Sequence, residues 1–175
     1  MLKKIIIFTA TVIIVVILFS GEVFYLDGLV ERKAAEYGIP PGLLRAVVHV
    51  ESGGNPWAMR YEDHWRWFSD LELYAGAHQT LDTEKQAQKT SWGLMQIMGG
   101  TARGMGFDGR FLSELLKPET NLTWGCMYLR NQYLRYGCWE DAVAAYNAGS
   151  VMKRENGTYY NQGYVDKVFD YIKNQ

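Results

Sequence analysis

Neither sign of charge dominates this sequence, and histidine is scarce. Its 18 Lys and Arg residues nearly balance 19 Asp and Glu, which gives a net charge of −1. Without a basic excess we expect no nucleic-acid partner. The three histidines, His49, His64 and His78, are not in metal-ligand spacing with one another, so we expect no metal site and no cofactor. Internal repeats and low-complexity segments are also absent from the sequence.

Cysteine is equally scarce, with only Cys126 and Cys138. Spacings of i, i+4, i+7 and i+11 mark one face of a helix at Leu122, Cys126, Leu129 and Tyr133. If that helix ends at Tyr136-Gly137, Cys138 lies about 15 Å or more along its axis from Cys126. A disulfide allows about 7 Å between Cα atoms. We therefore predict two unpaired cysteines, with Cys126 in the core.

The N-terminus carries the longest apolar run. Residues 5–19 are apolar apart from two threonines, and Lys3 and Lys4 precede them. As a helix these 15 residues span about 22 Å, against about 30 Å for a bilayer core. A cleaved signal peptide and an uncleaved signal anchor both fit, but no Ala-x-Ala site follows the run. We favour a transmembrane anchor over residues 1–24, with Lys3 and Lys4 in the cytoplasm and residues 25–175 exported.

The exported part is long enough for one domain with a substantial core. Apolar residues at helical spacing predict a first helix, which Gly38 ends and which packs on residues 43–51. These apolar residues are Leu26, Leu29, Val30, Ala34 and Tyr37.

Glu51 terminates the most informative stretch of the chain. An apolar run, residues 43–48, leads to it, Pro40-Pro41 predicts a helix start upstream, and Gly53-Gly54 predicts the helix stop. At the end of an apolar helix, the backbone dipole and the exclusion of water both disfavour the ionised carboxylate and raise its pKa. A carboxylic acid that is still protonated near neutral pH suits general acid catalysis. The alternative is a solvated glutamate at a helix end.

Aromatic residues cluster after the Asn-Pro pair that follows Glu51. These aromatic residues are Tyr61, Trp65, Trp67 and Phe68. Either sugar rings stack on their apolar faces, or the side chains fill the core. Glu62 and Asp63 are candidates for a second carboxylate, or else surface charges paired with Arg60 or Arg66.

Three further motifs carry polar groups at special backbone positions. Gly93 permits close backbone approach, and Gln96 offers a donor and an acceptor to a sugar amide or hydroxyl. Asn147 lies at the end of a predicted helix beside Tyr146, and Tyr164 lies near the start of the last helix. Each motif alone is weak, since Met95 and Ile97 also suit a core and Tyr164 suits a helix cap.

Together, and in this order, the motifs resemble the soluble lytic transglycosylase family, which has a lysozyme-like, goose-type catalytic domain. They are Glu-Ser-Gly-Gly-Asn-Pro at 51–56, Gly-Leu-Met-Gln at 93–96, Ala-Tyr-Asn-Ala-Gly at 145–149 and Tyr-Val-x-Lys-Val at 164–168. The resemblance covers about residues 25–175 and implies an all-α domain behind one N-terminal transmembrane helix. The Arg60-Tyr61-Glu62 run and Ser91-Trp92-Gly93 look most like members found in phages and prophages.

The resemblance implies cleavage of the β-1,4 bond between N-acetylmuramic acid and N-acetylglucosamine in peptidoglycan, with a 1,6-anhydromuramic product. It implies Glu51 as acid and base and Tyr164 as a group that holds or polarises its surroundings. It implies a sugar cleft lined by Met95, Gln96, Tyr146 and Asn147. The implied partners are glycan strands and, through the N-terminal helix, the inner membrane, with the domain in the periplasm.

The sequence departs from the family where many members carry serines after the Asn-Pro pair. Those positions read Met59-Arg60-Tyr61 here, so we expect Arg60, Tyr61 or Glu62 to enter the cleft instead. If Glu62 or Asp63 faces Glu51 across a water molecule, an inverting muramidase becomes possible. An inactive glycan-binding module is the alternative outside the enzyme class.

Overall fold

The computed structural model describes residues 25–76 and 79–175. Helices dominate it, and a small sheet and one 3-10 helix complete it. In chain order the elements are α1 (25–37), α2 (Pro41–Ser52), β1 (Met59–Tyr61), α3 (Leu71–Tyr74), α4 (Leu81–Gln88), β2 (Thr90–Trp92), β3 (Ile97–Met98), α5 (Gly99–Gly104), the 3-10 helix (Leu112–Leu116), α6 (Pro118–Tyr136), α7 (Trp139–Ala148) and α8 (Gln162–Lys173).

Helices α1 and α2 pack as the sequence predicts. A proline lies in the first turn of α2, and Gly53 in the left-handed conformation ends the helix. Its buried face joins the α1 stripe of Leu29, Val30 and Ala34 in one core. Helix α2 also packs on α8, where the rings of His49 and Tyr171 stack with their centres 4.4 Å apart.

Helix α6 packs against α7 and supplies buried residues to the same core. Leu122, Cys126 and Leu129 are fully buried on one face, and Gly137 in the left-handed conformation ends the helix after Tyr136. Cys126 is buried, Cys138 is partly exposed, and both thiols are free. The predicted helix and the two unpaired cysteines are therefore confirmed.

A three-stranded antiparallel sheet departs from the all-α expectation. Its order is β1-β2-β3, with Met59 opposite Trp92 and Trp92 opposite Ile97. Strands of two or three residues are too short for a period-two pattern to stand out in the sequence. The structure is thus mostly helical, and the sheet places the 93–96 turn beside the end of α2.

The predicted anchor, residues 1–24, lies outside the described residues. Within residues 25–76 and 79–175, no helix combines the length and the hydropathy that a bilayer crossing needs.

Candidate active site

Glu51 lies in the last turn of α2, and two sets of hydrogen bonds fix that end of the helix. The Gly53 N–H donates to the His49 carbonyl at 2.9 Å. The Ser52 hydroxyl donates to the carbonyl of Leu94 at 2.8 Å and lies 3.2 Å from that of Val48. Because Leu94 belongs to the turn between β2 and β3, Ser52 ties the position of Glu51 to that turn.

The environment of Glu51 favours its protonated form. Burial raises the pKa of its carboxyl to about 7, although the Tyr164 hydroxyl and the positive charge of Arg60 both act to lower it. The Tyr164 hydroxyl donates to Oε1 of Glu51 at 2.6 Å. The pKa of Tyr164 is raised by its burial and by the neighbouring carboxylate, so the phenol keeps its proton. Glu51 can therefore give or take a proton near neutral pH.

A cavity of about 820 Å³ opens beside Glu51. This volume lies within the range of small-molecule and cofactor sites. Its walls come from β1, from residues 64–69, from residues 96–98 and from the end of α7. The residues predicted for the cleft that line it are Glu51, Arg60, Glu62, Gln96, Tyr146 and Asn147.

The turn between β2 and β3 has an unusual backbone. Gly93 has φ +67°, and a Cβ there would lie 2.5 Å from Nδ2 of Asn121. Gln96 also has a positive φ, 46°, although it is not a glycine. Its side-chain amide donates to the carbonyls of Ala58 at 3.0 Å and Gly93 at 2.9 Å. Both amide hydrogens are used, so the group that Gln96 can offer a ligand is its side-chain oxygen.

Asn121 supports this turn and was missed by sequence reasoning. It is fully buried on α6. Its Oδ1 accepts from the Met95 N–H at 2.8 Å, and its Nδ2 donates to the carbonyls of Trp92 at 2.7 Å and Leu115 at 2.8 Å. An Asn next to the apolar stripe of a helix was the available signal, because a buried amide must find partners.

Met95 and Tyr61 lie outside the lining of the cavity. Met95 is fully buried, and a Cβ on Gly125 would lie 2.4 Å from its sulfur, so its side chain belongs to the core. Its carbonyl accepts from the Tyr146 hydroxyl at 2.7 Å, which holds the Tyr146 ring at the cavity wall. Tyr61 is half exposed on β1, with Nζ of Lys89 5.0 Å from its ring centre.

Asn147 lines the cavity at the end of α7, before Gly149 ends the helix in the left-handed conformation. Its Oδ1 accepts from Nδ2 of Asn161 at 3.0 Å. The same Asn161 amide donates to the carbonyl of Ala144 at 2.9 Å. Asn161 therefore orients Asn147 and joins the start of α8 to the end of α7.

The two candidate second carboxylates both pair with cations. Glu62 lines the cavity, forms an ion pair with Arg60, and has Nδ1 of His64 3.7 Å from its Oε2. The side chain of Asp63 is 89% exposed and lies 3.3 Å from Nζ of Lys89. Among the described residues, no group of three or more His, Cys, Asp or Glu side chains is arranged to hold a metal ion.

Three of the predicted aromatic residues form one wall of the cavity: Trp65, Trp67 and Phe68. The Trp65 indole N–H donates to the Trp67 carbonyl at 2.6 Å. A Cβ on Gly100 would lie 2.7 Å from that indole nitrogen, so this wall packs directly on the start of α5. Trp67 is 70% exposed and leaves an apolar surface available to a ligand.

Comparison with known proteins agrees with these motifs. The Transglycosylase SLT domain family matches residues 28–168. Membrane-bound lytic murein transglycosylase C of Actinobacillus pleuropneumoniae serotype 5b is 29% identical over 163 residues, which cover 83% of this chain and 33% of that protein. Endo-type membrane-bound lytic murein transglycosylase A of Salmonella paratyphi B is 30% identical over 105 residues, covering 57% of this chain and 38% of that protein. The chain thus spans about a third of the length of the curated relatives it matches.

Proposed function

Since this chain belongs to the Transglycosylase SLT domain family, we propose that it is a peptidoglycan lytic transglycosylase. It cleaves the β-1,4 bond between N-acetylmuramic acid and N-acetylglucosamine and leaves a 1,6-anhydromuramic end. The observation that carries the proposal is the partly buried carboxyl of Glu51, with a pKa of about 7, held by Tyr164 at the edge of a cavity.

In the first step Glu51 acts as general acid. It donates its proton to the glycosidic oxygen while the bond from that oxygen to the anomeric carbon of the muramoyl sugar breaks. The acetamido oxygen of the same sugar forms a new bond to the anomeric carbon and takes the place of a second carboxylate. N-acetylglucosamine leaves with a free 4-hydroxyl, and the Tyr164 hydroxyl stabilises the carboxylate that Glu51 has become.

In the second step Glu51 acts as general base. Its carboxylate accepts the proton of the 6-hydroxyl, whose oxygen attacks the anomeric carbon as the bond to the acetamido oxygen breaks. The anhydro ring forms, the acetamido group is restored, and Glu51 is protonated again. Water takes no part, so the products together have the composition of the substrate.

The inverting muramidase remains the second candidate, because Glu62 lines the same cavity. A general base in that mechanism must stand free to activate a water molecule. Glu62 instead forms an ion pair with Arg60 and has His64 on its other oxygen. This pairing favours the lytic reaction, in which Glu62 has no chemical step.

Mass spectrometry of the muropeptides released from purified sacculi tests the proposal. The wild-type chain should release products lighter by one water than hydrolysed muropeptides. Glu51→Gln, which preserves shape and removes the proton, should lower their yield by about 10³-fold or more.

Glu62→Gln is the matched control, since it makes the same chemical change at the other carboxylate of the cavity. It should still yield anhydro products. Hydrated reducing ends from the wild type, lost in Glu62→Gln, would establish the inverting muramidase instead. Glycan binding without any products from the wild type would indicate a binding module.

We further propose that residues 1–24 anchor the domain in the inner membrane and that residues 25–175 work in the periplasm. The apolar run at 5–19 behind Lys3 and Lys4 supports this. Both relatives named above are described as membrane-bound. The kinship to phage members stays a prediction.

A further inference from the structure

Three large apolar side chains stand in solvent along the segment that enters β1. Trp57 is 71% exposed, Met59 55% and Tyr61 50%. Met59 and Tyr61 lie two residues apart on β1 and so project from the same face, and Trp57 lies two residues before Met59, in the turn that leads into the strand. We call these three residues the ridge. Isolated apolar side chains are normal on protein surfaces, but a contiguous group of large ones marks an interaction surface.

The ridge residues lie outside the lining of the cavity, although they alternate along the chain with residues that belong to it. Arg60 and Glu62, which alternate with the ridge residues, line the cavity, whereas the ridge residues do not. Strand β1 is at the edge of the sheet, because β2 lies between it and β3. Whatever binds the ridge therefore sets the orientation of the cavity without occupying it.

The described part of the chain begins close to the ridge. A Cβ on Gly54 would lie 3.6 Å from Cδ2 of Leu26, so the start of α1 touches the turn that follows α2. Gly54 is three residues before Trp57, within about 10 Å along the chain. Only five residues, 20–24, separate the apolar run from the described helix, and five residues reach at most about 18 Å.

We propose that the ridge rests on the lipid surface of the membrane in which residues 1–24 are anchored. This inference rests on the anchoring part of the proposed function and adds a second contact to it. Trp and Tyr concentrate at the boundary between lipid and water, where an apolar ring meets a polar edge. The second contact fixes how the cavity opens with respect to the membrane plane, and thereby which glycan strands reach Glu51.

Lipid-dependent quenching in the full-length chain tests this contact. An environment-sensitive fluorophore is attached to the new thiol of the Met59→Cys variant. Cys138→Ser removes the partly exposed native thiol, and the remaining thiol, Cys126, is fully buried and escapes labelling. Leu134→Cys, 68% exposed on α6, carries the same fluorophore as the matched control. Both chains are reconstituted in vesicles of phosphatidylethanolamine and phosphatidylglycerol that contain a spin-labelled lipid.

We expect several-fold stronger quenching at position 59 than at position 134. Equal weak quenching in a chain that still floats with the vesicles would overturn the ridge contact and leave the anchor intact. A chain that does not float would overturn the anchor and this inference with it. A response at position 59 to sacculi but not to lipid would assign the ridge to glycan and overturn the lipid contact. Muropeptide release from the same samples reports separately on the proposed activity.

Discussion

At the scale of single residues, Glu51 owes its protonation to opposing influences. Burial raises the pKa of the carboxyl, whereas the Tyr164 hydroxyl and the charge of Arg60 lower it, and burial prevails. The result is an acid that is largely protonated below pH 7 and largely ionised above it. As general acid, Glu51 must carry its proton when substrate binds, so activity should fall as the pH rises through about 7.

Tyr164→Phe should move that fall to higher pH. The Tyr164 hydroxyl bonds to the ionised form of Glu51 more strongly than to the neutral form, so its loss raises the pKa of Glu51. A hydrogen bond to a charged group contributes about 1.5 kcal/mol, which corresponds to about one pH unit. The alkaline limb of kcat/KM, measured on soluble glycan fragments, should shift upward by about that amount, with a lower rate at the optimum.

Tyr160→Phe is the control for this prediction. The substitution removes the same phenolic hydroxyl from a side chain that is 61% exposed. The hydroxyl that bonds to Glu51 is that of Tyr164, so this variant leaves Glu51 unchanged. Its profile should match that of the wild type. An unshifted alkaline limb in Tyr164→Phe would mean that the limb does not report Glu51.

At the scale of elements, two helices hold the 93–96 turn between β2 and β3. Asn121 on α6 bonds to Trp92 and Met95 on either side of Gly93, and Ser52 of α2 bonds to Leu94 in the same turn. The turn is therefore fastened to α6 on one side and to α2 on the other. A distortion of this turn would therefore displace both Gln96 and the end of α2, which carries Glu51.

Comparing Gly93→Ala with Gly137→Ala separates the cost of backbone strain from the cost of a steric clash with Asn121. Both glycines have positive φ, +67° and +83°, but a Cβ on Gly93 meets Asn121 at 2.5 Å whereas a Cβ on Gly137 meets nothing within 4 Å. Gly137→Ala should cost about 1 kcal/mol of unfolding free energy. Gly93→Ala should cost about 3 kcal/mol or more, since it also disrupts buried hydrogen bonds.

Urea unfolding of both variants measures the difference, and muropeptide release should fall only in Gly93→Ala. Equal costs at the two positions would show that the turn adapts to a side chain and that Asn121 does not constrain it.

At the scale of the whole molecule, two apolar clusters pack around the cavity. The larger joins α1, α2, α6, α7 and α8, and the smaller joins Trp92, Ile97, Ala102, Phe107, Leu112 and Leu115. Tyr146 from the larger cluster and Ile97 from the smaller both line the cavity. The shape of the site therefore depends on how the smaller cluster is held.

A buried ion pair holds the region of the smaller cluster. The side chains of Glu84 and Arg103 are fully buried, with Nε of Arg103 2.9 Å from Oε1 of Glu84. Arg103 also donates to the carbonyls of Phe107 at 2.8 Å and Gly109 at 2.7 Å. Gln88 donates to Glu84 and to the carbonyl of Ser69, which connects the pair to the aromatic wall.

Arg103→Ala should lower the unfolding free energy by about 3–5 kcal/mol, because it leaves the buried carboxylate of Glu84 without a compensating positive charge. Lys173→Ala removes a cation from an exposed pair with Asp170 and should cost about 0.5 kcal/mol or less. Chemical denaturation of the two variants compares them. Similar small losses would mean that water or a rearranged side chain replaces Arg103.

The local sequence accounts for the helix ends and the residues that lie nearest to them. Glycines that adopt a left-handed conformation end α2, α6 and α7, and a helix end is decided by the backbone preferences of a few neighbouring residues. Periodicity likewise placed Cys126 in the core. Glu51 at the end of an apolar helix follows from the same local rules.

Tertiary packing alone decided which side chains meet. Tyr164 reaches Glu51 across 113 positions of the chain, Asn121 donates to the Trp92 carbonyl across 29 positions, and Met95 turns into the core against Gly125. None of these contacts follows from spacing, because each depends on the distance between elements that are far apart in sequence. Local backbone preferences act within one turn, whereas burial and partner choice arise only when the elements pack together.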